Sequence, residues 1–545
     1  MASKLEEYRA ARGPAPARTD RWELYGAGFE NLKQVTVDLP RLKSGELLVR
    51  HDACSICFSD IKIINLGGGH PRLQGRDLET NPVVLGHECI VTVLAVGDEL
   101  TGQYEVGRRL IVQPDVYYQG VNKSYGYALD GGMASYGIIT KEIIEGDEGT
   151  YLVPVAESTG YVEAALVEPW ACVVAAYEYP NYRTGIKNDG HLLLVDIDGF
   201  GVDQLFIERH CHRALLITTI ADVADTDWAE LRREVTRDEG FDDIVIIGAP
   251  TREEFVSIAG TLGKRGILNI VTDKPWAATV PVDVGRVHYE QQLYIGAPTI
   301  GTADFEYAAN TRSDLKARGV AWFVGAGGPM GQMHVQRAVM IGNAPSKIVV
   351  SDLNPERLER LRVRFEDIAK ALNIEFVVLG EGIDPSTHGP FDDIVSLVPN
   401  AELVAQTIPY LADNGVYNIF AGINKGVTAE LDLGTIIRRR QRLIGTTGST
   451  IEDMRKTLAL VESGKLSTNA SVAAIAGLDG LRDGLQAVKE GRFPGKTVIF
   501  PTIRQLPLTS IEEMKERLPN VWNKLQDGKF WTREAEVELY ETYLP

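Results

Sequence analysis

A pattern of apolar and polar positions in the middle of the chain occurs twice. Phe241-Asp242-Asp243-Ile244-Val245 recurs as Phe391-Asp392-Asp393-Ile394-Val395, and the matches downstream keep one register. These later matches are Leu262 with Leu411, Gly266 with Gly415, Asn269-Ile270 with Asn418-Ile419, Asp283 with Asp432, Gly285 with Gly434, and Ile295-Gly296 with Ile444-Gly445. Each copy runs from an apolar strand through a helix to a glycine and a second apolar strand, as in the later half of a doubly wound α/β unit. The pattern therefore predicts two tandem α/β domains, at residues 188–315 and 316–444.

The second copy opens with a predicted strand, Val320 to Val324, followed by a glycine-rich turn and a helical stretch from Gln332 to Ile341. Glycines in such a turn allow the backbone to approach a pyrophosphate, which then lies against the amides at the positive end of the helix. The glycine spacing is one residue longer than the usual fingerprint, so the prediction depends on strand, turn and helix occurring together. The candidate cofactor-binding residues are Gly325, Gly327, Gly328, Pro329, Met330 and Gly331.

The next predicted strand, Lys347 to Ser351, ends at Asp352. A carboxylate at this point can accept hydrogen bonds from a ribose diol, and its charge repels a 2′-phosphate. The sequence therefore favours NAD over NADP, although Arg357 and Arg360 follow closely and favour the opposite choice.

In the first copy, the corresponding turn contains the acids Asp196, Asp198 and Asp203, and the next predicted strand, Ala214 to Ile217, leads into Thr218-Thr219 rather than an acid. Negative charge at this turn opposes pyrophosphate binding. We therefore expect the first copy to be degenerate and not to bind NAD. It would serve as a packing or interface module, or alternatively as a repurposed ligand site.

Composition narrows the classes of partner. The 545 residues include 56 basic and 75 acidic side chains, and the resulting net charge of -19 disfavours the phosphate attraction on which nucleic-acid binding relies. No apolar run approaches the roughly 18 residues that a membrane span needs, and the N-terminus lacks a signal-peptide core. Five cysteines do not make a disulfide framework in so long a chain. We expect a cytoplasmic protein that acts on small molecules and forms a homo-oligomer.

A candidate zinc site lies in the first third of the chain. Cys57, His87, Glu88 and Glu168 could provide a thiolate, an imidazole and a carboxylate to one ion, and catalytic zinc takes about three protein ligands with one open position. Cys57 and His87 are the strongest candidates, and either glutamate could complete the shell. Taken singly, each residue also has an ordinary structural explanation, and the Cys54-Cys57 spacing alone would fit a redox pair.

Two further polar residues follow the ligand cysteine directly. Asp60 could accept a hydrogen bond from the imidazole of His87, and the Ser59 hydroxyl could pass a proton from a zinc-bound alcohol toward solvent. The candidate catalytic residues are therefore Ser59, Asp60 and His87.

These motifs, in this order, resemble those of the zinc-dependent medium-chain alcohol and polyol dehydrogenase superfamily. The matching segments are Cys57-Phe58-Ser59-Asp60, Gly86-His87-Glu88, Val106-Gly107-Arg108-Arg109, Gly131-Gly132, Glu168-Pro169, and Gly325 to Gly331 with Asp352. The resemblance implies an α/β protein in which a GroES-like β-barrel catalytic domain, 21–187, is completed by a return of the chain at 445–500. The two tandem domains between these segments would be Rossmann-type, the first of them degenerate. We expect a flexible tail at 1–20 and a helical C-terminal extension at 501–545.

Within the superfamily, the sequence is most similar to sorbitol-type polyol dehydrogenases and to L-sorbose 1-phosphate reductases. That similarity implies the reversible oxidation of a secondary alcohol of a polyol, sugar, sugar phosphate or cyclitol, with zinc as Lewis acid and NAD as hydride acceptor. Lys62, Arg72 and Arg76 could bind a substrate phosphate, although they could equally be solvated loop charges. Two alternatives are an epimerase or cyclase that retains NAD, and a non-catalytic nucleotide-binding assembly module.

Overall fold

A computed structural model of the chain describes residues 3–11, 14–178, 183, 185–276, 279–299, 301, 307, 312, 314–340 and 344–544. The chain divides into two compact units. The first unit comprises Met1–Val174, Gly328–Met333 and Ser449–Pro545, and the second comprises Ala175–Gly327 and His334–Gly448. No helix in the described ranges is long and apolar enough to cross a membrane.

The first unit is built mainly from β-strands. Its strands are β1 (Arg18–Leu24), β2 (Leu32–Asp38), β3 (Leu47–Ser55), β4 (Glu88–Val96), β5 (Arg109–Val112), β6 (Tyr117–Tyr118), β7 (Val121–Asn122), β8 (Tyr136–Ile139), β9 (Leu152–Pro154), β23 (Val472–Gly477), β24 (Lys496–Phe500) and β25 (Thr509–Ser510). The main sheet has the order β25-β23-β24-β3-β4-β5-β9, with β8 also paired to β3. The strand β24, from the far end of the sequence, pairs antiparallel with β3, so the chain returns to complete this sheet.

The helices of the first unit are short. They are Lys4–Ala10, Phe58–Leu66, Lys141–Ile144, Tyr161–Ala165, Val167–Ala175, Ile451–Glu462, Leu481–Lys489, Met514–Arg517, Pro519–Trp522 and Arg533–Tyr543. The last three belong to the predicted C-terminal extension.

The expectation of a flexible tail over residues 1–20 is wrong for most of that segment. Lys4–Ala10 forms a helix, capped by Ser3, in which Leu5 is buried. The backbone N–H groups of Lys4 and Leu5 donate to the Glu541 carboxylate at 3.1 and 3.0 Å. The tail is therefore held by the C-terminal helix, through a contact between the two ends of the chain that local sequence patterns do not reveal.

The second unit contains one extended sheet. Its strands are β10 (His191–Asp196), β11 (Leu216–Ile220), β12 (Phe241–Ile247), β13 (Leu262–Val271), β14 (Thr279–Asp283), β15 (Leu293–Ala297), β16 (Val320–Val324), β17 (Lys347–Ser351), β18 (Glu375–Leu379), β19 (Phe391–Ser396), β20 (Leu411–Ile419), β21 (Thr428–Asp432) and β22 (Arg442–Gly445). Eleven of them form the order β11-β10-β12-β13-β15-β22-β20-β19-β16-β17-β18. The remaining two, β14 and β21, pair with each other.

The helices of this unit connect successive strands. They are Gln204–His210, Trp228–Thr236, Arg252–Gly260, Val284–Tyr289, Pro329–Met340, Pro355–Ala371, Ala401–Thr407 and Leu433–Arg438. The first residues of Pro329–Met340, up to Met333, are grouped with the first unit. The strands β16 and β17 have the predicted bounds. The helix after the glycine turn begins at Pro329 rather than Gln332, and Ile341 lies outside the described residues. The strand predicted from Ala214 begins at Leu216 because Ala214 closes a turn by donating its N–H to the Cys211 carbonyl at 3.0 Å.

The two copies of the repeat share a buried ionic anchor. The Asp243 carboxylate of the first copy accepts the N–H of Lys187 at 2.9 Å and pairs with Arg183. The equivalent acid of the second copy, Asp393, accepts the N–H of Lys316 at 2.8 Å and pairs with an arginine in the same way, Arg312, at 2.5 Å. Burial raises the pKa of both carboxyl groups, and the arginines oppose that rise. The structural repeat therefore extends upstream of the segments whose sequences match.

Candidate metal centre and dinucleotide loop

Three of the candidate zinc ligands come together near the start of β4, an interior strand of the main sheet of the first unit. Cys57 caps the helix Phe58–Leu66, and His87 and Glu88 lie where β4 begins. Gly86, with φ of +94°, makes the turn into this pair, and a Cβ there would lie 2.7 Å from the Cys54 sulfur. The donor atoms of Cys57, His87 and Glu88 all lie within 4.8 Å of one another, the one such group among the described residues.

Asp60 lies behind these donors and is fully buried. One carboxylate oxygen accepts the backbone N–H of Cys57 at 2.9 Å. The other lies 3.4 Å from Nδ1 of His87 and accepts the N–H of Gly86 at 3.3 Å. One side chain thus fixes both segments that carry donor atoms. The Ser59 hydroxyl lies 3.5 Å from the Cys57 sulfur, and Ser59 is half-buried.

A buried lysine completes the surroundings of Glu88. Lys496, the first residue of β24, places its ammonium 2.7 Å from the Glu88 carboxylate, and the two side chains are 4% and 1% exposed. Although burial lowers the pKa of Lys496, the charge of Glu88 raises it above its usual value. Our sequence interpretation missed this residue. Its signal was a lysine at the start of an apolar strand, because a lysine is almost never fully buried without a partner.

Glu168 lies outside the group of three donors, in the helix Val167–Ala175. Burial, with the neighbouring charge of Glu88, raises the pKa of Glu168 to about 7. Burial, with the charge of Glu168, also raises the pKa of the Cys172 thiol well above its usual value. Glu88 is therefore the carboxylate that the geometry places beside Cys57 and His87, and Glu168 contributes charge to the same surroundings.

The glycine turn of the second copy has the features that a dinucleotide requires. Gly325 has φ of +77°, and a Cβ there would lie 2.1 Å from a methyl group of Val398. The N–H of Gly327 donates to the Asp352 carboxylate at 3.0 Å. Around Gly328 a Cβ would meet no atom within 4 Å. The acid predicted to bind ribose is therefore in direct contact with the glycine turn.

Comparison with known proteins gives two family matches. The family described as "Alcohol dehydrogenase GroES-like domain" matches residues 43–145, and the family described as "Zinc-binding dehydrogenase" matches residues 329–463. The chain belongs to the zinc-dependent medium-chain alcohol and polyol dehydrogenase superfamily. The resemblance seen in the sequence is thereby confirmed, and the protein is an oxidoreductase that uses zinc and a nicotinamide dinucleotide.

Individual relatives of this dehydrogenase align with about half of the chain. A mannitol-1-phosphate 5-dehydrogenase of Aliivibrio fischeri is 27% identical over 51% of this chain and 74% of its own length. An L-sorbose 1-phosphate reductase of Klebsiella pneumoniae is 27% identical over 53% of this chain and 78% of its own length. The crystal structure of 2R,3R-butanediol dehydrogenase from Bacillus subtilis superposes with a TM-score of 0.52, at 17% identity, over 89% of this chain and 99% of that one. The structural match establishes a shared fold.

Both cofactors of a medium-chain dehydrogenase fit the residues present. A thiolate, an imidazole and a carboxylate around one point form a donor set that zinc favours, and three protein donors leave a position for substrate. The close approach of Gly325 to Val398 shows that the turn is shaped around glycine, as a fingerprint turn requires.

The corresponding turn in the first copy of the dehydrogenase is occupied by its own side chain. The registers of β10 with β12 and of β16 with β19 make Asp196 the equivalent of Gly325. The Asp196 carboxylate accepts the N–H groups of Phe200 and Gly201 at 2.8 and 2.9 Å. The Asp196 carboxylate therefore accepts the hydrogen bonds from amides that a phosphate would otherwise bind. Its negative charge would also repel a phosphate. This contact supports the expectation that the first copy binds no NAD.

Of the three basic residues after the cysteine motif, the structure distinguishes Arg72. Arg76 donates to the carbonyls of Asn81, Pro82 and Ala128, and so it holds a loop together. The Arg72 guanidinium lies 5.3 Å from the centre of the Tyr127 ring, and that ring lies 5.3 Å from the His87 ring. Phe58, directly after the ligand cysteine, is 55% exposed.

Proposed function

We propose that the protein catalyses the reversible, NAD-dependent oxidation of a secondary alcohol of a polyol, sugar or sugar phosphate. The observation that carries the proposal is the group formed by Cys57, His87 and Glu88, with Asp60 bonded to the segments on either side. When bound, zinc would supply a Lewis acid that lowers the pKa of the substrate hydroxyl.

The residues of the chain have distinct proposed roles. Asp60 holds the His87 imidazole, whose Nδ1 is 3.4 Å from it, so that Nε2 is the nitrogen free to bind the metal. The Ser59 hydroxyl receives the substrate hydroxyl proton and passes it to solvent. The turn at Gly325 and the Asp352 carboxylate would hold NAD, which when bound would accept a hydride from the substrate carbon. An alcohol and NAD would then become a ketone, NADH and one proton.

Lys496 has a positioning role in this proposal. Its ammonium neutralises a buried carboxylate that would otherwise be left unpaired whenever it does not bind the metal. Glu88 could therefore exchange between metal and ammonium without a large change in buried charge.

The cofactor is proposed to be NAD rather than NADP. The Asp352 carboxylate, in contact with the Gly327 N–H, lies where a ribose is held and would repel a 2′-phosphate. Arg357 and Arg360 follow Asp352 in the sequence and would favour a 2′-phosphate. The Asp352 carboxylate nevertheless accepts the hydrogen bond from the Gly327 N–H.

A phosphorylated substrate is the preferred class within this proposal. Arg72 is partly exposed, is linked to the His87 ring through Tyr127, and has an ion-pair partner, Asp115, at a distance of 3.4 Å. Burial lowers the pKa of His70, and the nearby positive charges of Arg72 and Lys62 lower it further. The names of two relatives, mannitol-1-phosphate 5-dehydrogenase and L-sorbose 1-phosphate reductase, agree with this class.

The test begins with the metal and the reaction together. Purified protein should contain about one zinc per chain and should form NADH from NAD with at least one member of a panel of polyols, sugars and their phosphates. Cys57→Ala should lose both zinc and activity. Cys211→Ala is the matched control, because that buried thiol belongs to the first copy and to no donor group. Retention of full activity by Cys57→Ala would overturn the mechanism.

The phosphate preference has its own test. Arg72→Ala should raise the KM for a phosphorylated sugar about tenfold or more, which is the worth of about one charge-assisted contact, and should leave the KM of its unphosphorylated counterpart unchanged. Lys62→Ala, which removes the other positive charge near His70, should raise the KM for the phosphorylated sugar less. Equal KM changes for the two substrates would exclude Arg72 as a phosphate ligand and would leave the polyol reaction standing.

The alternative function, an epimerase or cyclase, can be distinguished from the dehydrogenase by NADH formation. An enzyme that retains NAD would convert its sugar without accumulating NADH. The superfamily membership favours the oxidoreductase over a non-catalytic assembly module. We also propose a cytoplasmic location, which agrees with five cysteines that are all free thiols, and a homo-oligomer.

A further inference from the structure

The two copies of the repeat meet edge to edge in the extended sheet of the second unit. β15 of the first copy pairs antiparallel with β22 of the second, through Tyr294 and Leu443. The sequence matches make these two residues equivalents, because Ile295-Gly296 corresponds to Ile444-Gly445. Equivalent residues that face each other lie on a two-fold axis, which is the mark of an isologous contact between two like units.

The pairing of β14 with β21 shows the same symmetry independently. Asp283 and Asp432 are equivalent, and so are Thr279 and Thr428 at the other ends of these strands. Thr279 pairs with Asp432, and Asp283 pairs with Thr428. Each strand therefore repeats the contact of the other, as the two halves of a symmetric dimer do.

Close backbone approaches across this junction are also reciprocal. A Cβ on Gly285 would lie 2.0 Å from the carbonyl oxygen of Asn424. A Cβ on its equivalent, Gly434, would lie 1.7 Å from the carbonyl oxygen of Trp276. Each of the two matched glycines thus lets the loop of the opposite copy pack against the helix in which that glycine is the second residue.

We infer that the degenerate first copy occupies, within the chain, the place of a second subunit at the edge of the dinucleotide-binding copy. An uncovered strand edge presents unpaired N–H and C=O groups to any other strand. Here β15 covers β22, and β14 covers β21. A homo-oligomer of this protein therefore uses some other surface.

Charges across the junction favour the mixed pair over a pair of second copies. Lys425 of the second copy binds Glu290 of the first at 3.0 Å. Glu290 caps the end of the helix Val284–Tyr289, and the residue that caps the matching helix Leu433–Arg438 is Arg439. If two copies of the second domain were paired in this way, Lys425 of one would therefore face Arg439 of the other. Replacing attraction by repulsion at one position is how a surface selects its partner.

A second ion pair has the same asymmetry. Arg252 of the first copy binds the Glu430 carboxylate with two nitrogens, at 2.7 and 2.5 Å. The residue before it, Thr251, caps its helix as Asn400 caps the matching helix, which makes Ala401 the equivalent of Arg252. If a second copy stood in place of the first, it would have Ala401 at this position and could not form the ion pair with Glu430. The first copy thus contributes a complementary surface, while its own turn is closed by Asp196.

Disulfide trapping in the full chain tests the inference without reference to activity. Pro281 and Glu430 are equivalent residues that pair directly. Under mild oxidation, the double variant Pro281→Cys/Glu430→Cys should form a cross-link within one chain, identified by a linked peptide at the mass of a single chain. Pro281→Cys and Glu430→Cys alone are the matched controls and should form no covalent dimer. Covalent dimers of the double variant at dilute concentration would overturn the inference, because the edges would then pair between chains.

Hydrogen exchange provides a second measurement that needs no cross-link. The amides of β14, β15, β21 and β22 should keep the same protection when the protein is diluted 100-fold, whereas loss of protection on dilution would show pairing between chains. Glu290→Arg should speed exchange in these strands several-fold, and the double variant Glu290→Arg/Lys425→Glu should restore the slow exchange.

Titration with NADH should give one dinucleotide per chain. Two per chain would refute the closed first copy while leaving the enzymatic proposal intact.

Discussion

Replacing Lys496 by methionine tests the ionic arrangement behind the metal centre. The ammonium lies 2.7 Å from the Glu88 carboxylate. At that distance two unit charges attract with about 6 kcal/mol for an effective dielectric constant of about 20. The ammonium no longer has to be desolvated in the variant, which offsets part of this loss. Removing one partner of a buried pair typically costs about 3–5 kcal/mol, and we expect a loss in this range for Lys496→Met without metal.

The same change should act in the opposite direction on zinc binding. In the metal-free variant the buried Glu88 carboxylate has lost its ammonium, and zinc would restore a positive partner. We therefore expect zinc to stabilise Lys496→Met more than the unaltered protein, with a dissociation constant lower by about tenfold, which is about 1.4 kcal/mol. The double variant Glu88→Gln/Lys496→Met should recover stability without metal and should not recover zinc affinity.

The assay is urea unfolding followed by tryptophan fluorescence, in a chelator and in excess zinc. Lys141→Met is the matched control, because the Lys141–Glu145 pair has the same chemistry at 3.2 Å but both side chains are 53% exposed. Exposed pairs contribute little, so the unfolding curve of this control should barely move. Our reasoning fails if metal-free Lys496→Met unfolds like the unaltered protein, or if the variant binds zinc more weakly.

Three further predictions concern the cofactor turn and a buried histidine. Gly325→Ala should weaken NADH binding at least tenfold in a fluorescence titration, because its Cβ would lie 2.1 Å from Val398, whereas Gly328→Ala, with no atom within 4 Å, should bind nearly normally. Asp352→Asn should raise the ratio of NADP to NAD turnover about tenfold, since the repelling charge is lost; an unchanged ratio would remove this acid from the ribose site. Burial lowers the pKa of His51 to about 4, so its contribution to stability is complete above pH 6.5 and should fall by about 3 kcal/mol as pH drops from 6.5 to 4; His51→Gln should lack that component, and identical pH curves would contradict the assignment.

The sequence predicted those parts of the protein whose signals are local. Strand β16 and the turn after it could be predicted from the sequence because an apolar run, glycines and a helix follow one another without interruption. Three of the candidate zinc donors, Cys57, His87 and Glu88, lie together in the structure, and the sequence could point to them because each lies in a short frame of residues. In both cases the chemistry depends on a few neighbouring side chains.

What the sequence did not reveal depends on contacts between distant segments. Lys496 meets Glu88 across 408 residues of chain, and Leu5 is buried by a helix at the opposite terminus. Neither position carries a local pattern that names its partner. The choice between Glu88 and Glu168 was left open for the same reason, since the relative distances of two carboxylates from Cys57 are set by tertiary structure.

The two copies of the repeat show how a small local difference separates a binding domain from a structural one. Their strands have equivalent registers, and both keep the buried aspartate that anchors the chain at the start of the unit. At the turn, one copy has Gly325 and the other Asp196. Glycine leaves the amides of the turn to a ligand, whereas the aspartate binds them itself at 2.8 and 2.9 Å. Because the sheet edge lies elsewhere in the unit, the first copy can lose nucleotide binding and still pair with the second.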